Sequence, residues 1–306
     1  MAVERNVPDE VRAGQSEGGE HAPSRAGWEA TLDLEFAVRG SRTYLSRRAS
    51  VGPLVVQRPF YPEGDVAHVY LVHPPGGVVG GDQLRLNVLV KDGAHALITT
   101  PAATKFYRSD GRVARQRQEI VADAASVEWL PQETIVFPDA RAQIATRVKL
   151  SERSRFVGWE IACYGRPASG LVFGAGRVSQ DFELWVNDTP LLLDHLRLDG
   201  TADSMRAPFG LAGQPVLGTL LAYPATDALL SAARDASAGT DVDARARAPA
   251  SGSPVAAACT LVDGALVCRA VGAHADMVRA LFIAIWQRVR PGIMGRAAVA
   301  PRIWAT

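Results

Sequence analysis

The sequence predicts a mainly β protein, an irregular β-helix-like stack of strands that ends in a small α+β part with two helices. Three observations support this fold class. From about residue 30 the apolar residues recur with a period of two, no convincing helix interrupts them before about residue 226, and a degenerate repeat of about 30 residues runs through the strand-rich region. The absence of alternating βαβ units disfavours Rossmann and TIM-barrel architectures.

Three segments show the period-two alternation most clearly. Residues 83–91 place Leu84, Leu86 and Val88 on one face, and Arg85 and Asn87 on the other. Residues 143–150 and 181–186 repeat this pattern. Strands with one buried face produce such alternation, so each segment is predicted to be a strand.

The repeat consists of short apolar segments that each follow a polar turn. They begin at Ala96, Val127 and Phe156, at intervals of 31 and 29 residues, and a longer strand-like segment follows each of them. A period near 30 residues favours stacked β layers, as in an irregular β-helix. A β-sandwich with coincidental spacing is the alternative.

After residue 215 the pattern changes. Residues 216–222 read as a strand, Thr226 can cap a helix over 227–236, and the low-complexity composition of 237–256 predicts a flexible loop. The dipeptide Asp263-Gly264 predicts a hairpin that places Cys259 opposite Cys268. This pair is interpreted as two reduced packing cysteines, with a disulfide or a soft metal site as alternatives.

A second helix is predicted over residues 275–290, where apolar residues recur at helical spacing before Pro291-Gly292. It either packs on the β core or offers a docking face through Phe282 and Trp286. The predicted organisation is a disordered tail over 1–27, a β-rich body over 28–214, and an α+β part over 215–306 packed on that body.

Charge and targeting signals narrow the function classes. Lys+Arg 33 against Asp+Glu 32 gives a net charge of +1, which offers no global basic footprint for nucleic acid or anionic lipid. Only Lys91, Lys105 and Lys149 are lysines, and an arginine bias in the coding sequence explains this more simply than a phosphate-binding surface. The sequence has no 18-residue apolar window, no signal-peptide core before residue 28 and no CxxC pair. A cytoplasmic protein without nucleic-acid or membrane partners is expected.

The usual catalytic motifs are also missing, including GxxxxGK[ST], GxSxG and HExxH. Two other clusters are denser than packing requires. Residues 73–82 hold two glycine pairs, which indicate either a structural turn or a contact or passage surface. The loop 99–109 is either a solvated loop or a protein-recognition surface, and its candidate anchors are Lys105, Phe106, Tyr107 and Arg108.

Several carboxylates lie within or beside strongly apolar strands, namely Glu128, Glu133, Asp139, Glu160 and Asp194. Such groups are usually solvated or paired with arginine. If several of them faced one interior passage, they would offer hard oxygen ligands to a divalent cation.

Taken together, an ordered series of segments resembles the urease accessory protein family UreD, called UreH in some organisms. The matching residues are 52–63, 73–82, 99–109, 128–133, 158–161, 165–168, 190–192, 223–227 and 301–304. They run from near the predicted start of the folded region to the C-terminus.

This resemblance implies a β-helix-like fold with two helices and a scaffold for urease maturation that is not itself an enzyme. It implies binding to the urease structural subunits as apoprotein and to UreF, with the GTPase UreG joining through UreF. It also implies delivery of Ni(II) to the urease active site through an internal channel, with no tightly bound cofactor and only transient Ni(II).

The same resemblance assigns acidic channel positions to Asp82, Glu160 and Asp194. Many relatives carry a second acid directly after the Gly-Gly-Asp turn, where this chain has Gln83. This departure puts a two-carboxylate gate in doubt. Two other functions compete with nickel delivery: an assembly adaptor through which no metal passes, and a β-solenoid hydrolase or lyase that uses paired carboxylates.

Overall fold

Seventeen strands and two α-helices make up the described part of the chain, residues 27–247 and 255–305 of a computed structural model. The strands are β1 (Glu29–Arg39), β2 (Arg42–Val51), β3 (Val55–Val56), β4 (Ala67–Val72), β5 (Gln83–Val90), β6 (His95–Thr99), β7 (Thr104–Phe106), β8 (Ala114–Ala122), β9 (Ser126–Trp129), β10 (Thr134–Val136), β11 (Arg141–Leu150), β12 (Arg155–Tyr164), β13 (Arg177–Val186), β14 (Thr189–Asp199), β15 (Val216–Tyr223), β16 (Ala256–Val262) and β17 (Ala265–Gly272). The helices are α1 (Asp227–Arg247) and α2 (Ala275–Met294).

The strands form two facing sheets. The first sheet has the order β14-β13-β11-β8-β5-β1-β2, and the second has the order β16-β17-β15-β12-β9-β6-β4-β3, with β7 and β10 paired beside β12. From β4 to β13 the chain alternates between the sheets, and successive strands within each sheet are mostly parallel. This is the β-helix-like stack that the sequence predicts, and the mainly β class is confirmed.

The register of the second sheet explains the sequence repeat. Ala96 pairs with Val127, and Val127 pairs with Phe156. These are the residues at which the repeated apolar segments begin, so the intervals of 31 and 29 residues are the lengths of successive coils. The spacing therefore results from stacking and is not a coincidence.

The period-two alternation places the core between the sheets. On β5, Leu84, Leu86 and Val88 are buried, whereas Arg85 and Asn87 are exposed on the outer face. The predicted hairpin at Asp263-Gly264 is also present, with both residues at positive φ, and Cys259 pairs with Cys268. Both cysteines are buried free thiols.

Both helices run further than the sequence predicts. Helix α1 continues to Arg247, and β16 begins at Ala256, so the flexible loop predicted over 237–256 is wrong except for residues 248–254, which lie outside the described residues. Alanine and arginine favour helix strongly enough to continue α1 through this polar composition. Helix α2 continues past Pro291 to Met294. Gly295 caps its C-terminus with a φ of 70°, and the Gly295 N–H donates to the Pro291 carbonyl. Of the predicted tail over 1–27, only Gly27 lies within the described residues.

A buried ion cluster fixes α2 on the second sheet. The guanidinium of Arg290 is fully buried and donates to both Glu63 and Glu128 at 2.8–3.1 Å. The side chain of His95 contacts Glu128 Oε1 at 2.8 Å, and Trp286 Nε1 donates to Glu128 Oε2 at 2.7 Å. Burial raises the pKa of Glu128, but the hydrogen bonds from His95 and Arg290 outweigh it and lower that pKa to about 2.

Candidate functional site

A cavity of about 190 Å³ lies between the two sheets. Its walls come from the inner faces of β5, β8 and β11 on one side and of β9 and β12 on the other. The same cavity is bordered by His73, Gly76, Gly77 and residues 100–105. These residues belong to the two clusters, 73–82 and 99–109, that the sequence singles out. Most of the lining is apolar, and Glu160 is the carboxylate within it.

Glu160 is held by neutral polar groups of the opposite sheet. Thr146 on β11 is hydrogen-bonded to Glu160 Oε1, and Gln180 Nε2 on β13 donates to Glu160 Oε2 at 3.2 Å. The Thr146 hydroxyl also lies 2.5 Å from Gln118 Oε1. Glu160, Thr146, Gln118 and Gln180 thus form one buried network of side-chain hydrogen bonds.

The environment of Glu160 favours its neutral form. Burial raises its pKa to about 7 against the opposing hydrogen bonds from Thr146 and Gln180, and the negative charges of Asp194 and Asp181 raise it further. No cation forms an ion pair with Glu160 among the residues that the structure describes. With a pKa of about 7, the Glu160 carboxyl has both protonation states accessible near neutral pH.

Asp194 lies beside Glu160, on the far side of Thr219. Thr219 is the register partner of Glu160 on the neighbouring strand, and its hydroxyl donates to Asp194 Oδ2 at 3.1 Å. Arg269, the register partner of Thr219, contacts Asp194 Oδ1 at 2.9 Å. Asp194 and Arg269 line a second cavity of about 580 Å³, which lies between β14 and the strands β15 and β17.

Asp82 is buried in the turn before β5 and does not line the first cavity itself. Its two carboxylate oxygens accept the backbone N–H groups of Trp28 and Val79 at 2.8 and 2.9 Å. Its charge reaches His73, which lines the cavity. Burial lowers the pKa of His73 and Asp82 opposes this shift, with a net lowering that favours the neutral imidazole.

The glycine pairs in this turn are required by close approaches. A Cβ at Gly77 would lie 2.1 Å from Cε2 of Tyr107, and Gly81 has a φ of +98°. Gln83, where many relatives have an acid, lies on the opposite face of β5 from Leu84 and Leu86. A carboxylate at this position would therefore not point into the space between the sheets.

The structure thus brings Glu160 and Asp194 together and places Asp82 at a distance, linked to them through His73 and the cavity. Four further polar residues near these acids, His73, Thr146, Gln180 and Thr219, are not among the site residues that the sequence predicts. His73 directly precedes the Pro-Pro-Gly-Gly segment, and this position was the one available signal. The other three become neighbours of the acids only through the register of the two sheets.

The remaining carboxylates of the sequence-derived set have partners. Glu128 pairs with Arg290, Glu133 pairs with Arg279 at 2.9 Å, and Asp139 accepts the N–H of Ala175 at 3.0 Å. These three acids therefore fit the usual case, in which a carboxylate has a structural partner within the fold. Glu160 differs from them because no cation compensates its burial.

The predicted partner-binding residues divide into two groups. Lys105, Tyr107 and Arg108 are at least partly accessible, and Lys105 lines the first cavity. Phe106, Phe282 and Trp286 are fully buried, because Phe106 faces the space between the sheets and α2 turns its apolar face onto the second sheet. The prediction that these three side chains contact a partner directly is therefore wrong.

A neutral substitution of Glu160 should change how stability depends on pH. A carboxyl whose folded-state pKa is raised from 4.5 to about 7 makes the folded protein lose stability as the pH rises through that window. We expect E160Q to remove this loss, so that at pH 8 it unfolds with a free energy higher than wild type by on the order of 3 kcal/mol, and to match wild type near pH 4. Urea unfolding at both pH values measures this difference, with E119Q as the exposed control. A constant difference across pH would contradict the assignment.

Comparison with known protein families agrees with this geometry. The sequence model of a family described as UreD urease accessory protein matches residues 29–305. That match places the protein in the class of accessory proteins that assist an enzyme, rather than among enzymes.

Individual relatives carry the same description along nearly their whole length. The chain is 43% identical to the urease accessory protein UreD of Klebsiella aerogenes over 286 residues, which cover 93% of this chain and 99% of the relative. It is 43% identical to that of Klebsiella pneumoniae subsp. pneumoniae, with 93% and 97% covered, and 44% identical to that of Alkalilimnicola ehrlichii, with 95% and 97% covered. The chain belongs to the UreD family of urease accessory proteins, and this membership implies a role in urease maturation.

Two features of the described residues concern metal binding and membrane crossing. Their His, Cys, Asp and Glu side chains include no group of three or more arranged to hold a metal ion. None of their helices combines the length and the apolar character needed to cross a membrane.

Proposed function

We propose that this protein is a cytoplasmic scaffold and nickel-insertion chaperone. It binds the urease apoprotein together with UreF, recruits UreG through UreF, and passes Ni(II) through the space between its two sheets toward the urease active site. The observation that carries the metal part of the proposal is the buried, uncompensated carboxylate of Glu160. A protein core does not ordinarily retain such a group, because burial without a cation disfavours its charge.

The polar groups form a series that crosses the interior. It starts with Asp82, whose charge acts on His73 in the wall of the first cavity, continues through Glu160 and Thr219, and ends at Asp194. Ni(II) accepts both imidazole nitrogen and carboxylate oxygen as ligands. Few ligands at each position would bind the ion loosely, which suits cargo that must be released.

Arg269 is the group that has to move in this route. The Arg269 guanidinium contacts Asp194 Oδ1 at 2.9 Å and would repel another cation at Asp194. The Arg269 side chain is 52% exposed, so rotation into solvent is open to it. Arrival of Ni(II) would thus exchange one cation for another at Asp194.

The assembly part of the proposal is tested by co-purification. The full-length chain, tagged and expressed in a urease-positive cell, should retain the urease structural subunits and UreF, and should retain UreG only when UreF is present. Recovery of the chain without urease subunits would refute the scaffold role. Recovery of UreG in a cell that lacks UreF would refute the proposed order of contacts.

A further inference from the structure

The outer face of the first sheet carries a group of arginines that the proposed nickel route does not use. Arg85 lies on β5, Arg115 and Arg117 lie on β8, and Arg141 begins β11. All four side chains are exposed, and they project from three adjacent strands on the face opposite the cavity. We call these four residues the arginine patch.

Two members of the arginine patch are direct neighbours. Arg85 and Arg117 are register partners in the parallel pair β5–β8, so their backbones lie about 5 Å apart and two like charges are neighbours on one face. Like charges in this arrangement destabilise a sheet. Neither residue has an acidic partner among the described residues, while Arg115 donates to Gln143 and Arg141 to the carbonyl of Gly111.

Three other cations on the same sheet are matched to acids. Lys149 contacts Glu119 at 2.8 Å and Arg147 contacts Glu183 at 2.6 Å. Farther along, Arg197 contacts Asp181 at 2.6 Å. Arg85 and Arg117 lack such pairing although they are neighbours, which indicates that an anionic group from outside this chain completes the arginine patch.

The surroundings of the patch favour a protein as the source of that group. A depression of about 400 Å³, with Ala145 and Ser179 among its lining residues, lies beside Arg115 and Arg117. The strands here are central, so their backbone groups are already paired and an added strand cannot bind. Recognition must use side chains, and the planar guanidinium fork fits carboxylates. Asp181 and Glu183 line the same depression, but they are already paired with Arg197 and Arg147 and leave the patch arginines open to an outside carboxylate.

We propose that the arginine patch docks an acidic segment of a partner protein through arginine–carboxylate pairs. That the partner belongs to the urease maturation complex rests on the proposed function; the acidic chemistry of the segment rests on the patch itself.

The test uses the purified full-length protein and a fluorescently labelled ten-residue glutamate peptide. We expect R85S/R117S to weaken peptide binding, measured by anisotropy at physiological salt, by about tenfold. The control R48S/R153S removes the same charge from exposed arginines outside the patch and should change binding less than about twofold. R117S alone should keep or raise the thermal unfolding temperature, because it removes a like-charge pair.

Four results would overturn this proposal. Three are equal weakening by both double variants, no measurable binding of the peptide by wild type, and tighter binding of a ten-base-pair DNA duplex than of the peptide. Unchanged peptide binding by R85S/R117S would refute the patch and leave nickel delivery standing. Full nickel content in urease from cells that lack this chain would refute nickel delivery and leave the peptide result unaffected.

Discussion

Urease that matures with the variant D82N/E160Q/D194N should contain at least about tenfold less nickel than urease matured with the wild-type chain. Each substitution removes a negative charge and keeps the shape of the side chain. Among the described residues that line the two cavities, Glu160 and Asp194 are the acidic ones, and Asp82 acts on His73 in the wall of the first. Metal analysis of urease purified from matched cells measures this loss.

The control for this prediction is D33N/E119Q/D203N, which removes three carboxylates from outside the interior. This control should load urease normally. The test variant must still co-purify with urease and UreF, so that lost nickel reflects lost passage. Normal nickel loading by D82N/E160Q/D194N would show that the protein acts as an assembly adaptor through which no metal passes.

Replacement of Glu128 should have the largest effect on folding. E128A leaves the buried guanidinium of Arg290 with Glu63 as its one acidic partner and leaves His95 and Trp286 without their acceptor. Breaking a buried pair in this way costs about 3–5 kcal/mol, and we expect E128A to lose that much unfolding free energy in urea titrations. E128Q keeps an acceptor oxygen and should lose less.

Glu119, which pairs with Lys149 at a half-exposed site, is the control for Glu128. E119A should lose less than about 1 kcal/mol, because exposed ion pairs contribute little. The pKa of Glu128 is lowered from 4.5 to about 2, so its contribution is complete above pH 4.5 and is lost as the pH falls toward 2. Equal losses for E128A and E119A would contradict the structural role of the cluster.

Local patterns were enough to predict the strands and their stacking. Alternation on β5, β11 and β13 reports one buried face, and the recurrence at Ala96, Val127 and Phe156 reports the coil length, because parallel neighbours must be one coil apart. The ends of the helices were harder to predict. A proline usually stops a helix, but here α2 continues three residues beyond Pro291, to Met294.

The candidate site was only partly predictable, since its acids came from a family resemblance and their surroundings from the fold. Thr146 and Glu160 belong to different sheets, and Thr219 reaches Asp194 across the same gap. Such contacts depend on how the sheets face each other, which a strand pattern does not record. For the same reason the sequence left a docking role open for Phe282 and Trp286, which the packing of α2 on the second sheet buries.

The most direct test of the account is the nickel content of urease purified from a urease-positive cell in which this protein has been deleted and then restored. We predict that urease from the deleted cell contains little nickel at normal subunit abundance, and that expression of the wild-type chain restores it. Full nickel content in urease from the deleted cell would contradict the proposed role in nickel delivery.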